Sequence, residues 1–252
     1  ADEEPLRLRI ADALGKRYHF FHPMLEFIEV FWLRDGFDII CGNPPWLKLQ
    51  FDEQGIISEK YPEIAIRKVT APAVRQLTSR FMENDSLKGL YELEEVDIAC
   101  SSQFMNAKCN YHLLEGQQTN LYKCVLTNCF DLSSNNGYIG LLHPDGIYDD
   151  SNGQTLRKEV YHRLVYHFQY VNTLKLFTEI LHWVKFSTNI YSKHKEEIDF
   201  LSINNLYHPA TIDGSFCHNG IGICAGLKNE DGSWNTTPHK DRIVRIRTEE
   251  LR

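Results

Sequence analysis

The chain has 252 residues, 42% hydrophobic and 24% charged, proportions of a folded globular protein of one large or two small domains rather than a disordered or fibrous one. Its 27 Lys and Arg against 34 Asp and Glu give a net charge of -7, which excludes a protein that coats nucleic acid uniformly but not one with a local basic cleft. No run approaches the roughly 18 to 20 apolar residues of a membrane span, ADEEPLRLRI lacks the apolar centre of a signal peptide, and seven cysteines without a C-x-x-C pair fit small, reduced, buried thiols, so a cytoplasmic protein is expected.

The first clear element is FDIIC, residues 37–41, a short apolar run that reads as a buried strand ending at Gly42 ahead of two prolines. Residues 58–82 read as one or two helices broken at Pro62 and Pro72, and 87–114 as another ending near Gly116. Together they suggest a helical insertion over about 55–116. In TNLYKCVLTNCFDLSSNNG, Leu121, Cys124, Val125, Cys129 and Leu132 share a helical face, and Asn136-Gly137 offers a stop. GYIGLLHP reads as a buried strand, and Ser151 with Gln154 as a capping box for a helix through Arg157, Val160 and Leu164. Residues 166–177, 184–192 and 199–206 are strand candidates, the last two forming an antiparallel hairpin across KHKEE. From Pro209 the frequent Gly, Asn, Asp and Pro predict an irregular arm. The alternation of strands and helices predicts an α/β chain, with a core over 1–208 and an arm, or the start of another module, over 209–252. The chain opens on Ala and closes on EELR, so both ends read as boundaries of a fragment.

Chemistry is concentrated in Asn43-Pro44-Pro45-Trp46, directly after the strand. Taken alone, the four letters describe more readily a strand-ending turn with a core tryptophan. Their position changes the reading, because α/β sheets gather their sites where strands end at the carboxyl edge. An aromatic amino group is a poor nucleophile while its lone pair is delocalised into the ring, and two acceptors on its two N–H bonds draw the pair out. The Asn43 side-chain carbonyl and the Pro44 main-chain carbonyl can converge on one point, since proline stiffens the turn and holds its neighbour extended. A base must leave the duplex to reach such a pocket, at a cost of a few kcal/mol. Stacking on Trp46 offsets that by roughly 1 to 3 kcal/mol.

Here the chain resembles the amino-methyltransferases that use S-adenosyl-L-methionine and carry an N-P-P-[YFW] motif. FHPMLEFIEVFWLRDGFDIICGNPPW is similar to the segment leading into that motif in large restriction-modification and phage-defence enzymes, with Phe21-His22, Glu26-Phe27 and Glu29-Val30-Phe31 among the matching residues. The likeness runs through NLYKCVLTNCFDLSSNNGYIGLLHPDGIY and TLRKEV and covers roughly residues 20–195. It implies a three-layer, partial class I (Rossmann-like) methyltransferase sheet with a helical insertion and a C-terminal irregular arm. The implied reaction is methylation of adenine N6 in double-stranded DNA. Asn43, Pro44, Pro45 and Trp46 would be catalytic, and Trp46 and Phe186 would stack on the base. Phe186 in VKFSTNIYS is equally an ordinary core residue. Asn120 matches the segment beside the cofactor, and Tyr122 reads better as a helix start.

The sequence departs from the family in one respect. Residues 1–36 contain neither the glycine-rich cofactor loop nor the acidic residue expected ahead of the motif, and GIGICAG at 220–226 has the wrong spacing to replace it. The resemblance therefore implies a fragment that acts with a missing N-terminal part of its parent chain or with a partner subunit. RNA or a protein glutamine remains an alternative substrate, since any conjugated amino group suits the same chemistry, and a non-catalytic DNA-binding or assembly piece remains an alternative role.

Cys217, His218, Cys224 and His239 do not match zinc-ligand spacings, so no metal is expected. His143 and His182 read as structural, because this transfer needs no strong base. Arg67, Lys68, Arg75 and Arg80, and later Lys240, Arg242, Arg245 and Arg247, could contact phosphates or simply form solvated faces.

Overall fold

The computed structural model describes residues 5–66, 70–118 and 120–251. Helices α1 (Leu6–Tyr18), α2 (Pro23–Glu26) and α3 (Ile28–Arg34) precede strand β1 (Phe37–Gly42). The insertion consists of α4 (Glu53–Lys60), α5 (Glu63–Ile66), α6 (Ala71–Met82) and α7 (Asp85–Asn106). Then follow α8 (Leu121–Leu132), β2 (Ser133–Pro144), α9 (Gly146–Asp149), α10 (Gln154–Arg163), β3 (Leu164–Val171), β4 (Lys185–Tyr191), β5 (Asp199–Leu206), α11 (Ala210–Cys217) and β6 (Val244–Arg247).

The six strands form one mixed sheet in the order β1-β2-β4-β3-β5-β6, with β1/β2 and β3/β5 parallel and the other pairs antiparallel. Helices cover both faces, an α/β arrangement consistent with a partial Rossmann-like fold. On one face Leu126, Phe130, Ile139, Leu141, Leu156, Val160 and Tyr191 pack as α8 and α10 close on the sheet. On the other, Tyr170, Phe186, Ile203 and Leu206 form a smaller core with Trp46, Phe177 and Ile212 of α11. Each fully buried side chain of this size contributes roughly 1.5 to 3 kcal/mol.

The insertion follows its punctuation. Asp52 caps α4 by accepting from the Gly55 N–H at 3.0 Å, and Asn84 caps α7 by accepting from Leu87 N–H at 3.1 Å. Pro62 separates α4 from α5, while Pro72 sits in the first turn of α6, where its missing N–H has no helical partner to lose.

Several expectations are corrected. The strand 37–41 is not buried: it lies at the sheet edge, none of its residues is fully buried, and Ile39 is 76% exposed. No described residue pairs with its outer edge. Asn136-Gly137 does not stop α8, which ends at Leu132 and passes straight into β2. Glycine serves the strand pair instead. A Cβ at Gly36 (φ +130) would lie 2.7 Å from Leu132 O and Ser134 N, and one at Gly137 would lie 2.6 Å from Phe37 O, at the point where the β1–β2 register shifts.

The expected capping box is absent. Gly153 precedes α10, Ser151 makes no cap, and the Asp150 carbonyl anchors the turn by accepting from Arg157 Nη1 at 2.7 Å and Gly153 N at 3.1 Å. Leu164 begins β3 rather than ending the helix. The hairpin joins β3 and β4, not β4 and β5: KHKEE carries the chain past β3, held by Ser192 and Lys195 N–H donating to the Arg163 and His162 carbonyls. The segment after Pro209 is not simply irregular, since it supplies α11 and then β6, which pairs with β5 from Ser202↔Val244 to Asp199↔Arg247. Of the cysteines only Cys124 and Cys129 are buried; Cys41, Cys100, Cys109 and Cys217 are exposed.

Helices α1 to α3 contribute no buried residue, and Trp32 is 85% exposed. Phe27 and Phe31 pack edge-on against Phe37 at 5.5 and 5.4 Å. Among the described residues no helix is long and apolar enough to cross a membrane.

Candidate active site at the carboxyl edge of the sheet

Parallel β1 and β2 end at one edge of the sheet, where β3 also ends and antiparallel β4 begins. That topology gathers three loops: 43–52 after β1, 145–153 after β2, and 172–184 between β3 and β4. Carboxyl edges of this kind are where α/β sheets place ligands.

In the first loop Asn43 and Pro45 are exposed, Pro44 is buried and Trp46 is half-buried. The indole N–H of Trp46 donates to the Leu142 carbonyl of β2 at 3.3 Å, and its ring tilts against Phe177 at 5.5 Å and Phe186 at 5.7 Å. This holds the indole edge in the core with part of its surface at the rim. Neither the Asn43 side chain nor the Pro44 carbonyl has a hydrogen-bond partner among the described residues. Asn43, Pro44, Pro45 and Trp46 line a cleft of about 170 Å³ whose far wall is Phe177, Glu179 and Ile180.

The far wall is set by a residue that sequence reasoning missed. Asn172, fully buried at the end of β3, donates through Nδ2 to the carbonyls of Phe177 at 2.8 Å and Ile180 at 3.0 Å, and its Oδ1 accepts from Phe177 N at 3.0 Å. One side chain thus folds the loop that carries Phe177 and Glu179. The signal available in sequence was a lone Asn closing the apolar run YHFQYV. Phe186 is only 2% exposed, stacked on Tyr170 at 5.2 Å and beneath Trp46, so it backs the indole while Phe177 lines the cleft.

Asn120 lies elsewhere. It caps α8 by accepting from Tyr122 N at 3.4 Å, and the Lys48↔Asn120 bridge and the Leu121 N–H to Leu47 O bond tie the loop after Trp46 to that helix. It lines a larger cavity of about 460 Å³ with Lys48, Tyr122, Lys123, Asp149 and Asp150. Lys123, nearly buried, donates to Gln117 Oε1 at 2.9 Å and to Asp150 Oδ2 at 2.5 Å. The Lys123 bond holds the Asp150 carboxyl below the usual carboxylate range despite partial burial. Tyr122 is buried in the first turn of α8 and stacks on His143 at 5.4 Å.

His143 anchors a buried polar chain under this edge. Its Nδ1 lies 2.8 Å from Pro144 O, an acceptor, so Nδ1 carries the proton and Nε2 accepts from Tyr191 Oη at 2.7 Å and Asn189 Nδ2 at 3.0 Å. Burial lowers its pKa to about 4, outweighing the bond to Pro144, so the ring is neutral at pH 7. Asp145 is also buried. Desolvation alone would raise its carboxyl, but hydrogen bonds from His167, Ser187 and Gln169 hold it below the ordinary value. His182 packs edge-on against Trp183, away from the cleft lining.

The rings of His218 and His239 stand 4.3 Å apart, and no group of three or more His, Cys, Asp or Glu able to hold a metal occurs among the described residues. Residues 220–226 form an exposed loop. Arg67 and Lys68 lie outside the described residues; Arg75 and Arg80 are exposed on α6. Arg242 is engaged with Thr237 O and Asn235, and the exposed Arg245 with the Asp199 carboxylate at 2.7 and 2.5 Å, while Lys240 and Arg247 are exposed and make no ion pair among the described residues.

No protein-family model and no curated protein sequence matches the chain. Among solved structures it is similar to the type I restriction-modification system methyltransferase subunit from Streptococcus thermophilus, at 13% identity and TM-score 0.38 over 71% of this chain and 30% of that one. It is similar to a chain of a type I restriction-modification system at 11% and 0.39 over 86% and 35%, and to the ATP-dependent Type ISP restriction-modification enzyme LlaBIII bound to DNA at 12% and 0.36 over 78% and 12%. The chain thus spans little more than a third, or less, of the length of these structures.

Proposed function

We propose that this chain carries the substrate half of an S-adenosyl-L-methionine-dependent methyltransferase that modifies the N6 amino group of adenine in double-stranded DNA, within a cytoplasmic restriction-modification or phage-defence enzyme. The observation that supports it most is the pair of unspent acceptors, Asn43 Oδ1 and Pro44 O, at the rim of the sheet beside a half-buried indole. Neither acceptor is spent on the fold, so both remain available to a donor that enters the cleft. An amino group brings two N–H bonds to that place.

In this reading the flipped adenine enters between the Pro45–Trp46 side and Phe177, with Phe186 supporting the indole from below. Asn43 and Pro44 accept from the amino nitrogen and localise its lone pair, leaving it aimed out of the cleft. Neutral His143 takes no proton from the substrate, since its Nε2 is already occupied by Tyr191 and Asn189.

The methyl donor's own site does not fit the described residues. Residues ahead of β1 form three helices rather than a strand, glycine loop and helix, and Asn120 spends its side-chain oxygen on the α8 cap. The cofactor would therefore be held by a second unit, either further sequence of a parent chain or a partner subunit, packed against edge strand β1, where Ile39 is exposed. Calorimetry of this chain with S-adenosyl-L-methionine should accordingly show no binding. In the assembled enzyme, transfer of labelled methyl groups offered to DNA, RNA and protein should occur on DNA; label in RNA or in a glutamine side chain instead would replace the proposed substrate.

A further inference from the structure

Methyl transfer at the rim cleft uses none of the buried polar side chains that β3 and β5 bring together. The parallel register sets His167 of β3 opposite Ser202 of β5, and His167 Nδ1 lies 3.0 Å from Ser202 Oγ. On the other side of the ring, Nε2 lies 3.3 Å from Oδ1 of Asp145, the residue that follows β2. These two contacts select the tautomer of the neutral ring. A carboxylate only accepts, so Nε2–H donates to Asp145, and the Nδ1 lone pair is left to accept from the Ser202 hydroxyl. Asn204 Oδ1 competes for that hydroxyl at 3.3 Å, the longer of its two contacts. Hydrogen bonds from His167, Ser187 and Gln169 hold the Asp145 carboxyl below its ordinary value although burial opposes them, so it stands ionised beside the ring. Tyr148 packs edge-on against the imidazole at 4.7 Å and restricts its rotation.

Ser202, His167 and Asp145 all line one cavity of about 210 Å³, and none of them lines the rim cleft. Asp149, Lys185 and Asn204, in the wall of the same cavity, are exposed, so it opens to solvent. Lys185 Nζ and Asn204 Nδ2 have no hydrogen-bond partner among the described residues. A chain of hydrogen bonds that only tied strands together would need neither an open cavity beside the serine nor unpaired donors in its wall. We propose that Ser202, His167 and Asp145 form a second reactive site, in which Ser202 is a nucleophile toward small uncharged carboxylic esters.

In the first step Ser202 Oγ bonds to the ester carbonyl carbon while the hydroxyl proton passes to His167 Nδ1. The carbon–oxygen bond to the alcohol then breaks, and the alcohol leaves with that proton. Water, deprotonated by the same nitrogen, cleaves the acyl-serine to the free acid and restores the hydroxyl. Either ring nitrogen can serve as the base, provided the other is held by the carboxylate. Asp145 is a positioning residue: it fixes the tautomer and offsets the charge of the imidazolium that forms. Lys185 and Asn204 supply donors for the oxygen on which negative charge develops.

The test treats the full chain with an alkyl fluorophosphonate, which bonds through phosphorus to an activated serine with loss of fluoride, and locates the adduct by mass spectrometry of peptides. One adduct per chain is expected, on Ser202. Its formation should be slower by about 10²-fold or more in His167→Gln and in Asp145→Asn, the contribution of a positioned base. Steady turnover of 4-nitrophenyl acetate should end as the adduct forms and be absent in Ser202→Ala, which removes a single oxygen. Hydrogen bonds that served only the fold would shift unfolding midpoints in these variants and leave labelling alone. Circular dichroism shows whether each variant is folded, and the mapping in the wild-type chain stands without any of them. No adduct on Ser202, no steady turnover in the wild-type chain, or equal labelling rates in the wild-type and a folded His167→Gln chain overturns the proposal.

Discussion

In the larger cavity at the carboxyl edge, Lys123 is tied to Gln117 and Asp150, and Asn120 is consumed by the cap of α8. In the smaller, across the loop that joins them, Asn43, the Pro44 carbonyl and one oxygen of Glu179 have no described partner, and the aromatic rings beside them are locked in place. Size alone nominates the first cavity. Lys48, Gln118 and Asp149 of the first cavity are likewise without a side-chain hydrogen bond or ion pair among the described residues, so unspent polar groups do not separate the two; the second is set apart by its aromatic wall, where Trp46 and Phe177 stand beside Asn43 and the Pro44 carbonyl. The difference teaches that a flat aromatic surface beside free acceptors, rather than volume, is what suits a cleft to a planar base.

That comparison can be broken by substitution. The largest effect on stability is expected at Lys123→Met, which removes the nearly buried cation that Gln117 Oε1 and Asp150 Oδ2 share. A loss of about 2 to 4 kcal/mol in denaturant unfolding is predicted, toward the lower end of the buried-pair range because Asp150 is partly exposed. Oligonucleotide binding at the cleft should be unchanged once the variant is folded; a lost affinity would make the larger cavity part of the site.

The buried His143 gives a pH signature of similar size. Its folded pKa of about 4 lies below an unfolded value near 6.5, so the unfolded chain takes up a proton first as pH falls. Stability is fully present above about pH 6.5 and drops by about 3 kcal/mol on the way to pH 4 from this residue alone. Unfolding titrated over that window should lose one proton's worth of slope in His143→Gln, and an identical slope in both proteins would show the ring charged in the fold.

Asn172→Ala removes the clamp on the far wall and leaves main-chain groups of Phe177 and Ile180 without their partner, a cost of about 2 to 3 kcal/mol by the same unfolding measurement. It should also free Phe177 from Trp46 and shift tryptophan emission, which a purely remote destabilisation would leave alone. The smallest effect is expected at Ser151→Ala, within about 0.5 kcal/mol, because Ser151 caps nothing in the fold. A loss of a full cap's worth, about 1 kcal/mol, would restore the capping box.

What could be read in the sequence was local. FDIICG followed by Asn-Pro-Pro places a strand end and a turn with no knowledge of the rest of the chain, and the apolar period of 121–132 places α8. Pairing across the sheet could not be read that way. That β4 lies between β2 and β3 depends on partners some 45 and 20 residues distant in sequence, and periodicity says nothing about which strand a strand will meet. Gly137 shows the same limit: a glycine after a helix looks like a stop, but this one is required by the approach of Phe37 O, about a hundred residues earlier. Phe177 lies within the loop 172–184 and Phe186 just after it in β4, and only the fold reveals that the first lines the cleft while the second is sealed beneath it. Asn172 was overlooked for the same reason, since its bonds run forward into a loop with no regular period.

The measurement that bears most directly on the central claim is methyl transfer to double-stranded DNA by the assembled enzyme carrying Asn43→Ala. Removal of one acceptor from a pre-organised pair should lower the turnover by about 10² to 10³-fold, with circular dichroism and the unfolding midpoint unchanged because the Asn43 side chain is exposed and unpaired. Turnover close to that of the unaltered enzyme would contradict the account.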